Sequence, residues 1–453
     1  MDKKSYTISR MITPGAILLI SCYELGHRPI GLTRPLASFR TAGFLPNTID
    51  IAVEQLDVEK VKQAKFIGIS VPMHTALRLG VHLLPRIRDL NPDVVICMYG
   101  LYAGLNADYL LSLGVNYCIG RGDVSEQLVQ LVQSLLNDDD REFPVVDVPI
   151  GKLPDLEKYA QFEDNGEVRH VGYTETTHGC KHLCTHCPIP PVYNGKFFPV
   201  PQETVLNEIH KQVVEGATHI TFGDPDFLNG PLHGLRVLRE MHDTYPNLTF
   251  DFTTKVEHIL KHRKHFPEFA ELGCRFVISA VESLSDRVLT ILEKHHTRSD
   301  VEEAIDIVQG TGIALRPTWV PFTPWTSLDA YLEILEFVEM HGLIYHVDPV
   351  QFAVRLLIPP GSYLLNRPET KALSLTLDET AFSYVWVHPD ARMDELQKTV
   401  NSLVENDNIT DVDPLDTFYS IWEVSMDLSG KSRPKRNKRR HSPAPRITEA
   451  WFC

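Results

Sequence analysis

What most restricts the fold of this chain is an alternation of short β-rich runs with amphipathic helical runs, and the alternation occurs twice. Over residues 16–136 the runs AILLIS, TIDIAV, FIGISV, VVICMY and VNYCIG alternate with helical patterns such as TALRLGVHLLPRIRDL and SEQLVQLVQSLL. About five βα units in succession predict a doubly wound α/β domain with a parallel sheet, assigned to residues 1–136. Ligands on such sheets bind beyond the carboxyl ends of the strands. Those loops carry Ser70, Pro72, His74, Thr75, Gly100, Tyr102, Gly120 and Gly122. A second series, residues 171–365, offers GYTETT, THITFGD, LTFDFTT, CRFVISAV, IALRPTWV and VDPVQFAV as strands. Six units in so short a span suit a partial βα barrel, with its chemistry at the strands' C-terminal ends.

The remaining segments read as connections and accessories. Residues 137–170 are acidic and proline-containing and read as a linker, and residues 366–430 read as a small C-terminal cap containing the helical run MDELQKTVNSLVEN. Residues 431–453 hold eight basic residues against the single acid Glu449 and too few apolar side chains to fold, so a disordered tether is expected. The whole chain carries a formal charge of −15, so the body without that tail is more acidic still. Such a body argues against a nucleic-acid-coating surface, and any such role would fall to the tail. No apolar run near the start approaches the roughly 20 residues that cross a bilayer. Met1 to Ile12 is polar and mixed in charge, unlike a signal peptide, so a cytoplasmic protein without membrane partners is expected.

Eight cysteines without a secretory signal do not describe a disulfide scaffold, and three of them cluster in TTHGCKHLCTHCPIPP. Cys180, Cys184 and Cys187 follow the first strand of the second series at a C-x3-C-x2-C spacing. Three thiolates on one loop hold three irons of a [4Fe–4S] cluster, whereas a closed electron carrier takes four, so one iron stays open to a chelating substrate. The alternative is structural zinc, with Cys184 and Cys187 as one ligand pair and His178, His182 or Cys180 improvising the other. A zinc-stabilised binding protein is the non-enzymatic reading of the same residues.

These residues resemble the radical S-adenosylmethionine (SAM) superfamily, and the resemblance covers Val171 to Tyr363. It implies that SAM's amino and carboxylate groups chelate the open iron. An electron from the cluster then splits SAM into methionine and a 5′-deoxyadenosyl radical that abstracts a substrate hydrogen. Gly223 and Asp224 in ITFGDPDF stand where that family meets the SAM amine, and Glu282 stands where an acid meets the ribose hydroxyls. Arg316, Thr318 and Arg355 on the last two strand candidates point toward the same site; the two arginines could instead be buried partners of nearby acids. His186, just before Cys187, replaces an aromatic residue common in the family.

The first domain is flavodoxin-like, and placed before such a barrel it resembles the cobalamin-binding half of the B12-dependent radical SAM enzymes, with PIGLTRPLASFRTAGF similar to their first helix. In that class cobalamin lies between the halves and often relays a methyl group. Here Ser70, Thr75, Gly100 and Gly122 would line its site. No D-x-H-x-x-G motif is present, so no protein histidine is expected on cobalt, and a retained sheet that only shapes a pocket is the alternative. Cys22, Cys97 and Cys118 raise the idea of an auxiliary cluster like that of the methylthiotransferases, whose RNA-modifying members give a second functional reading. The ending ITEAWFC resembles the radical SAM group with Cys-Cys-Ala-Glu-Pro or Cys-selenocysteine-Ala-Glu-Pro tails. That resemblance makes Cys453 a candidate catalytic residue and a truncation before selenocysteine an expectation. The resulting expectation is a radical SAM enzyme with a small-molecule substrate and an electron donor such as flavodoxin or ferredoxin. The outcome would be hydrogen abstraction or cobalamin-assisted methyl transfer.

Overall fold

Strands β1 (Ile17–Ser21), β2 (Asn47–Asp50), β3 (Phe66–Ser70), β4 (Val95–Tyr99) and β5 (Tyr117–Ile119) pair in the order β2-β1-β3-β4-β5 in the computed structural model, which describes residues 13–136, 153–432 and 443–449. All four pairings are parallel. Alternate side chains feed two cores, which is why these strands read as continuous apolar runs. Leu18, Ile20, Ile67, Ile69, Ile96 and Met98 pack on one face, and Ile17, Leu19, Phe66, Cys97 and Tyr99 on the other. This unit extends to Tyr159 and takes in two later returns of the chain, Pro359–Gly361 and Asp378–Phe382. Phe382 is 2% exposed within its core, in edge contact with His74 and Tyr109.

The second unit is built on a seven-stranded sheet. Strands β6 (Gln161–Asp164) and β7 (Glu167–Thr174) form an antiparallel hairpin, and the short pair β8 (Thr177–Gly179) and β9 (Phe197–Pro199) stands apart. β10 (His219–Phe222), β11 (Thr249–Thr254), β12 (Cys274–Glu282) and β13 (Ala314–Trp319) continue in parallel from β7. Beyond the small hairpin β14 (Thr376–Asp378) and β15 (Ser383–Val385), two helices, Ala391–Ile409 and Pro414–Ser429, pack on each other. The strand β16 (Arg446–Ile447) then joins β6, so the order is β13-β12-β11-β10-β7-β6-β16.

Three boundaries differ from the sequence reading. Residues 161–170, placed in the linker, already belong to the barrel sheet as β6 and the start of β7. The candidate VDPVQFAV holds a 3-10 turn over Pro349–Phe352, and the isolated parallel bridge beside it, Phe322 to Arg355, falls on the residue after that run. Pro349 has no N–H to give a ladder, which disfavours a sixth strand there. Residues 443–449, expected to be disordered, are docked: Ile447 packs with Phe162, Val171, Phe276 and Ile278, Arg446 pairs with Glu163 at 2.9 Å, and Ala444 is buried. Among the described residues no helix is long and apolar enough to cross a membrane.

Candidate active site

The three-cysteine loop leaves β8 at the C-terminal end of the barrel sheet. Cys180 and Cys184 are buried and Cys187 is partly so. The loop is tied from several sides. Thr185 donates its N–H to Leu292 O at 3.0 Å and its hydroxyl to Ile291 O at 2.8 Å, while Leu364 N and Ser362 Oγ donate to Thr185 O. Asn229, on the loop after β10, accepts from Lys181 N at 3.4 Å and lies 3.8 Å from Cys180 Sγ. Burial raises the Cys180 thiol, and burial together with Cys184 pushes Cys187 up to about 12. Iron that binds here must therefore displace thiol protons.

The donor set fits a cluster: three thiols on one short loop supply ligands for three irons of a [4Fe–4S] cluster and leave the fourth open, whereas a structural zinc takes four protein ligands.

Glu282 closes β12 beside this loop, with φ of 68° where β12 and β13 slip register. A left-handed glutamate carries backbone strain of about 1–3 kcal/mol, of the kind that collects at functional sites. Its Oε1 accepts from Lys294 Nζ at 3.0 Å and lies 3.4 Å from His186 Nε2. Burial opposes ionisation of Glu282, but the Lys294 ammonium and His186 outweigh it and hold the carboxyl far below its ordinary range. Lys294, itself buried, is raised by Glu282 and by Cys184 against its own desolvation. His186 Nδ1 is buried without a hydrogen-bond partner, an unmet polar atom next to Cys187 that suits a polar ligand such as SAM. The sequence did not single out Lys294, because its partner is twelve residues away across a turn.

Gly223 and Asp224 brace the same mouth. A Cβ on residue 223 would sit 1.7 Å from the Tyr173 hydroxyl. Both Asp224 oxygens are engaged by β7's continuation: Thr176 N gives 2.8 Å, and the Thr176 and Thr177 hydroxyls give 2.7 Å each. Asp224 is thus a strut under the cysteine loop, where a ligand contact was expected. Burial raises its pKa to about 6. Because that folded-state value lies above the unfolded one, its contribution to stability is full below about pH 4 and is lost as pH rises through about 6. The melting temperature of the wild type relative to Asp224→Asn is therefore expected to rise as pH falls from 7 to 5; a flat difference would contradict this assignment.

The strand arginines take the alternative role. Arg316 pairs with Asp348 at 2.8 Å and reaches Pro445 O, while Thr318 donates to Ser279 O within the sheet at 3.4 Å. Arg355 pairs with Asp394 at 2.7 Å, donates to Trp386 O and stacks 3.6 Å from the Trp386 ring. A half-buried arginine is stabilised by an acid and a ring face, and Asp394 and Trp386 supply these.

At the strand ends of the first unit, Ser70 Oγ donates to Glu24 Oε1 at 3.2 Å, Gly31 N donates to the same carboxylate, and Tyr99 OH donates to Gly31 O at 2.6 Å. Gly100 and Gly122 have φ of 109° and 75°, and Thr75 lies in the first turn of the helix His74–Leu90. His74 Nε2 is 2.7 Å from Ala381 O. His74 is engaged by that contact, at the start of the helix that follows β3. Cys22 and Cys118 pack on one face of the sheet and Cys97 on the other, so these three do not gather into an auxiliary cluster. Cys453 lies outside the described residues.

A parallel sheet with a three-cysteine loop at its C-terminal mouth defines the class, and residues 174–321 match the radical SAM superfamily model, so the barrel is a radical SAM domain. The chain is 26% identical over 184 residues to a ribosomal protein uS12 methylthiotransferase RimO of Phocaeicola vulgatus, covering 38% of this chain and 41% of that protein. It is 23% identical over 233 residues to a tRNA-2-methylthio-N(6)-dimethylallyladenosine synthase of Aliivibrio fischeri, covering 48% and 47%. The chain therefore spans about half the length of these curated relatives or less. Over nearly its whole length the fold is that of the radical SAM methyltransferase TsrM from Kitasatospora setae, with a TM-score of 0.65, 13% identity and coverage of 90% and 89%. The cobalamin-dependent radical SAM enzyme OxsB gives a TM-score of 0.62 at 14% identity, covering 92% and 72%.

Proposed function

We propose that the chain is a radical SAM enzyme in which Cys180, Cys184 and Cys187 hold a [4Fe–4S] cluster. The observation that carries this reading is the anchored three-thiol loop at the C-terminal mouth of a radical SAM barrel. When bound, the cluster supplies the electron that cleaves SAM to methionine and a 5′-deoxyadenosyl radical. The chain's own residues do the positioning. Asp224 fixes the segment between β7 and β8, and Lys294 holds Glu282 ionised beside the loop. A carboxylate in that state accepts hydrogen bonds from hydroxyl groups such as those of a ribose. His186 Nδ1 offers a further buried polar contact.

The substrate is a small molecule, and the outcome is hydrogen abstraction or methyl transfer assisted by cobalamin. Cobalamin would be cradled by Ser70, Thr75, Gly100 and Gly122 without a histidine on cobalt. Gly223, Thr318 and Arg316 belong in this reading to the walls that support the SAM pocket. A flavodoxin or ferredoxin is the electron donor, and the cytoplasm, where thiolate ligands stay reduced, is the compartment. Cys453 acts as a redox-active thiol in turnover of the substrate. The test is anaerobic: the chain reconstituted with iron and sulfide is given SAM and a strong reductant, and 5′-deoxyadenosine is quantified by mass spectrometry. Its formation is expected; a protein with a full cluster that leaves SAM intact would sink the reading.

A further inference from the structure

A second group of ligating side chains lies beside the cysteine loop and is not used by the reading above. We propose that His182, Asp226 and His258 bind a divalent first-row transition ion of the zinc type, in a site separate from the cluster. The three come from different elements: His182 sits between Cys180 and Cys184, Asp226 on the loop after β10, and His258 on the helix Val256–Lys261 after β11. One ligand atom from each lies within 4.8 Å of the others. Asp226 Oδ2 is 2.8 Å from His258 Nδ1 and 3.7 Å from His182 Nε2. Ligands of a tetrahedral zinc with bonds near 2.0–2.1 Å stand about 3.3 Å apart, so these spacings bracket the requirement.

The burial of the donor atoms favours an ion. Asp226 Oδ2 and His258 Nδ1 are shut off from solvent and face each other at 2.8 Å, a close carboxylate–imidazole pair into which a cation can be inserted. The supporting contacts are also in place. Asp226 Oδ1 accepts from Thr254 Oγ1 at 2.7 Å and Leu228 N at 3.1 Å, which fixes the carboxylate and leaves Oδ2 for the metal. His182 Nδ1 lies 3.6 Å from Glu257 Oε2, the outer carboxylate that orients metal-bound imidazoles. The nearby cation, Lys255 Nζ, stands 3.2 Å from His182 Nδ1 but is matched by Glu257 at 3.3 Å, so Asp226 remains the negative charge of the site. In the metal-free chain His182 Nε2 and His258 Nε2 share one N–H across 3.0 Å. On binding, each neutral imidazole keeps its one N–H on the nitrogen that does not face the ion, so the step is a change of tautomer with no net proton released. Two imidazoles and one carboxylate suit zinc, cobalt(II) or iron(II). An ion here would pin the cysteine loop to the ends of two barrel strands.

The experiment uses the full chain reconstituted anaerobically with iron and sulfide, so that the three thiols are occupied, followed by cobalt(II) and desalting. About one cobalt per chain is expected, with visible d–d bands and no thiolate-to-cobalt charge transfer. His258→Ala and Asp226→Asn should weaken retention by more than the ~10–100-fold that losing an outer-shell partner costs, with iron content unchanged. A chain with Cys180, Cys184 and Cys187 all replaced by serine should take the same single cobalt, so this arm does not depend on the cluster. Cobalt binding in either protein that is lost on replacing His258 supports the site. Absence of cobalt from both, persistence in the His258 and Asp226 variants, or a thiolate band in the reconstituted protein overturns it.

Discussion

Cys184→Ala is expected to abolish 5′-deoxyadenosine formation and to reduce bound iron to a small fraction of the wild-type content. The expectation follows from the ligand count. A cluster held by three thiolates has no spare protein ligand, and a loop with two can hold at most two irons. Cys184 also sits at the centre of the loop: its carbonyl accepts from Cys187 N at 3.2 Å, and the next residue, Thr185, anchors the segment to Ile291 and Leu292. Those anchors use backbone groups and a neighbouring hydroxyl, so the substitution leaves them in place and the barrel should fold. Circular dichroism close to wild type with loss of the brown colour and of SAM cleavage is the expected combination. Full turnover in this variant would exclude the cluster reading. Retention of one zinc without iron would favour the structural-metal alternative.

Lys294→Met is expected to destabilise the barrel by about 3–5 kcal/mol, the usual cost of removing one partner from a buried ion pair. Glu282 is 8% exposed and Lys294 2% exposed, and the two meet at 3.0 Å. Without the ammonium, the carboxylate is left with His186, 3.4 Å away, as its remaining partner among these side chains. The Glu282→Gln, Lys294→Met double variant removes both charges and should recover much of the loss, because the desolvation of each ion disappears with it. Thermal unfolding of the three proteins distinguishes these outcomes. A single variant that melts with the wild type would mean that water replaces Lys294, and Glu282 would then not be held ionised by the chain.

Much of this architecture is legible along the chain because its causes are local or periodic. Ile17 to Ile20 face two cores in turn, so the strand reads as unbroken apolar sequence, and each βα repeat carries that mark. The cysteine loop is legible because its three ligands fall within eight residues. The rest depends on partners distant in sequence. Arg355 reads as a site residue until the cap places Asp394 and Trp386 around it, 39 and 31 residues away. His182 and His258 are 76 residues apart, and nothing in either local pattern indicates that they meet. Asp224 reads as a ligand by position alone; the threonines that use up its oxygens lie 47 and 48 residues earlier.

The pairing of β6 with β16 also bears on synthesis. Arg446 and Glu163 are 283 residues apart, so β6 emerges from the ribosome long before the strand that covers it. At 5–20 residues per second the interval is roughly 15–60 s, during which β6 is an open sheet edge. The nascent barrel is therefore exposed to wrong pairing until residue 447 has been made. Conditions that slow translation near the 3′ end of the message should lower the yield of folded protein more than equal slowing early on.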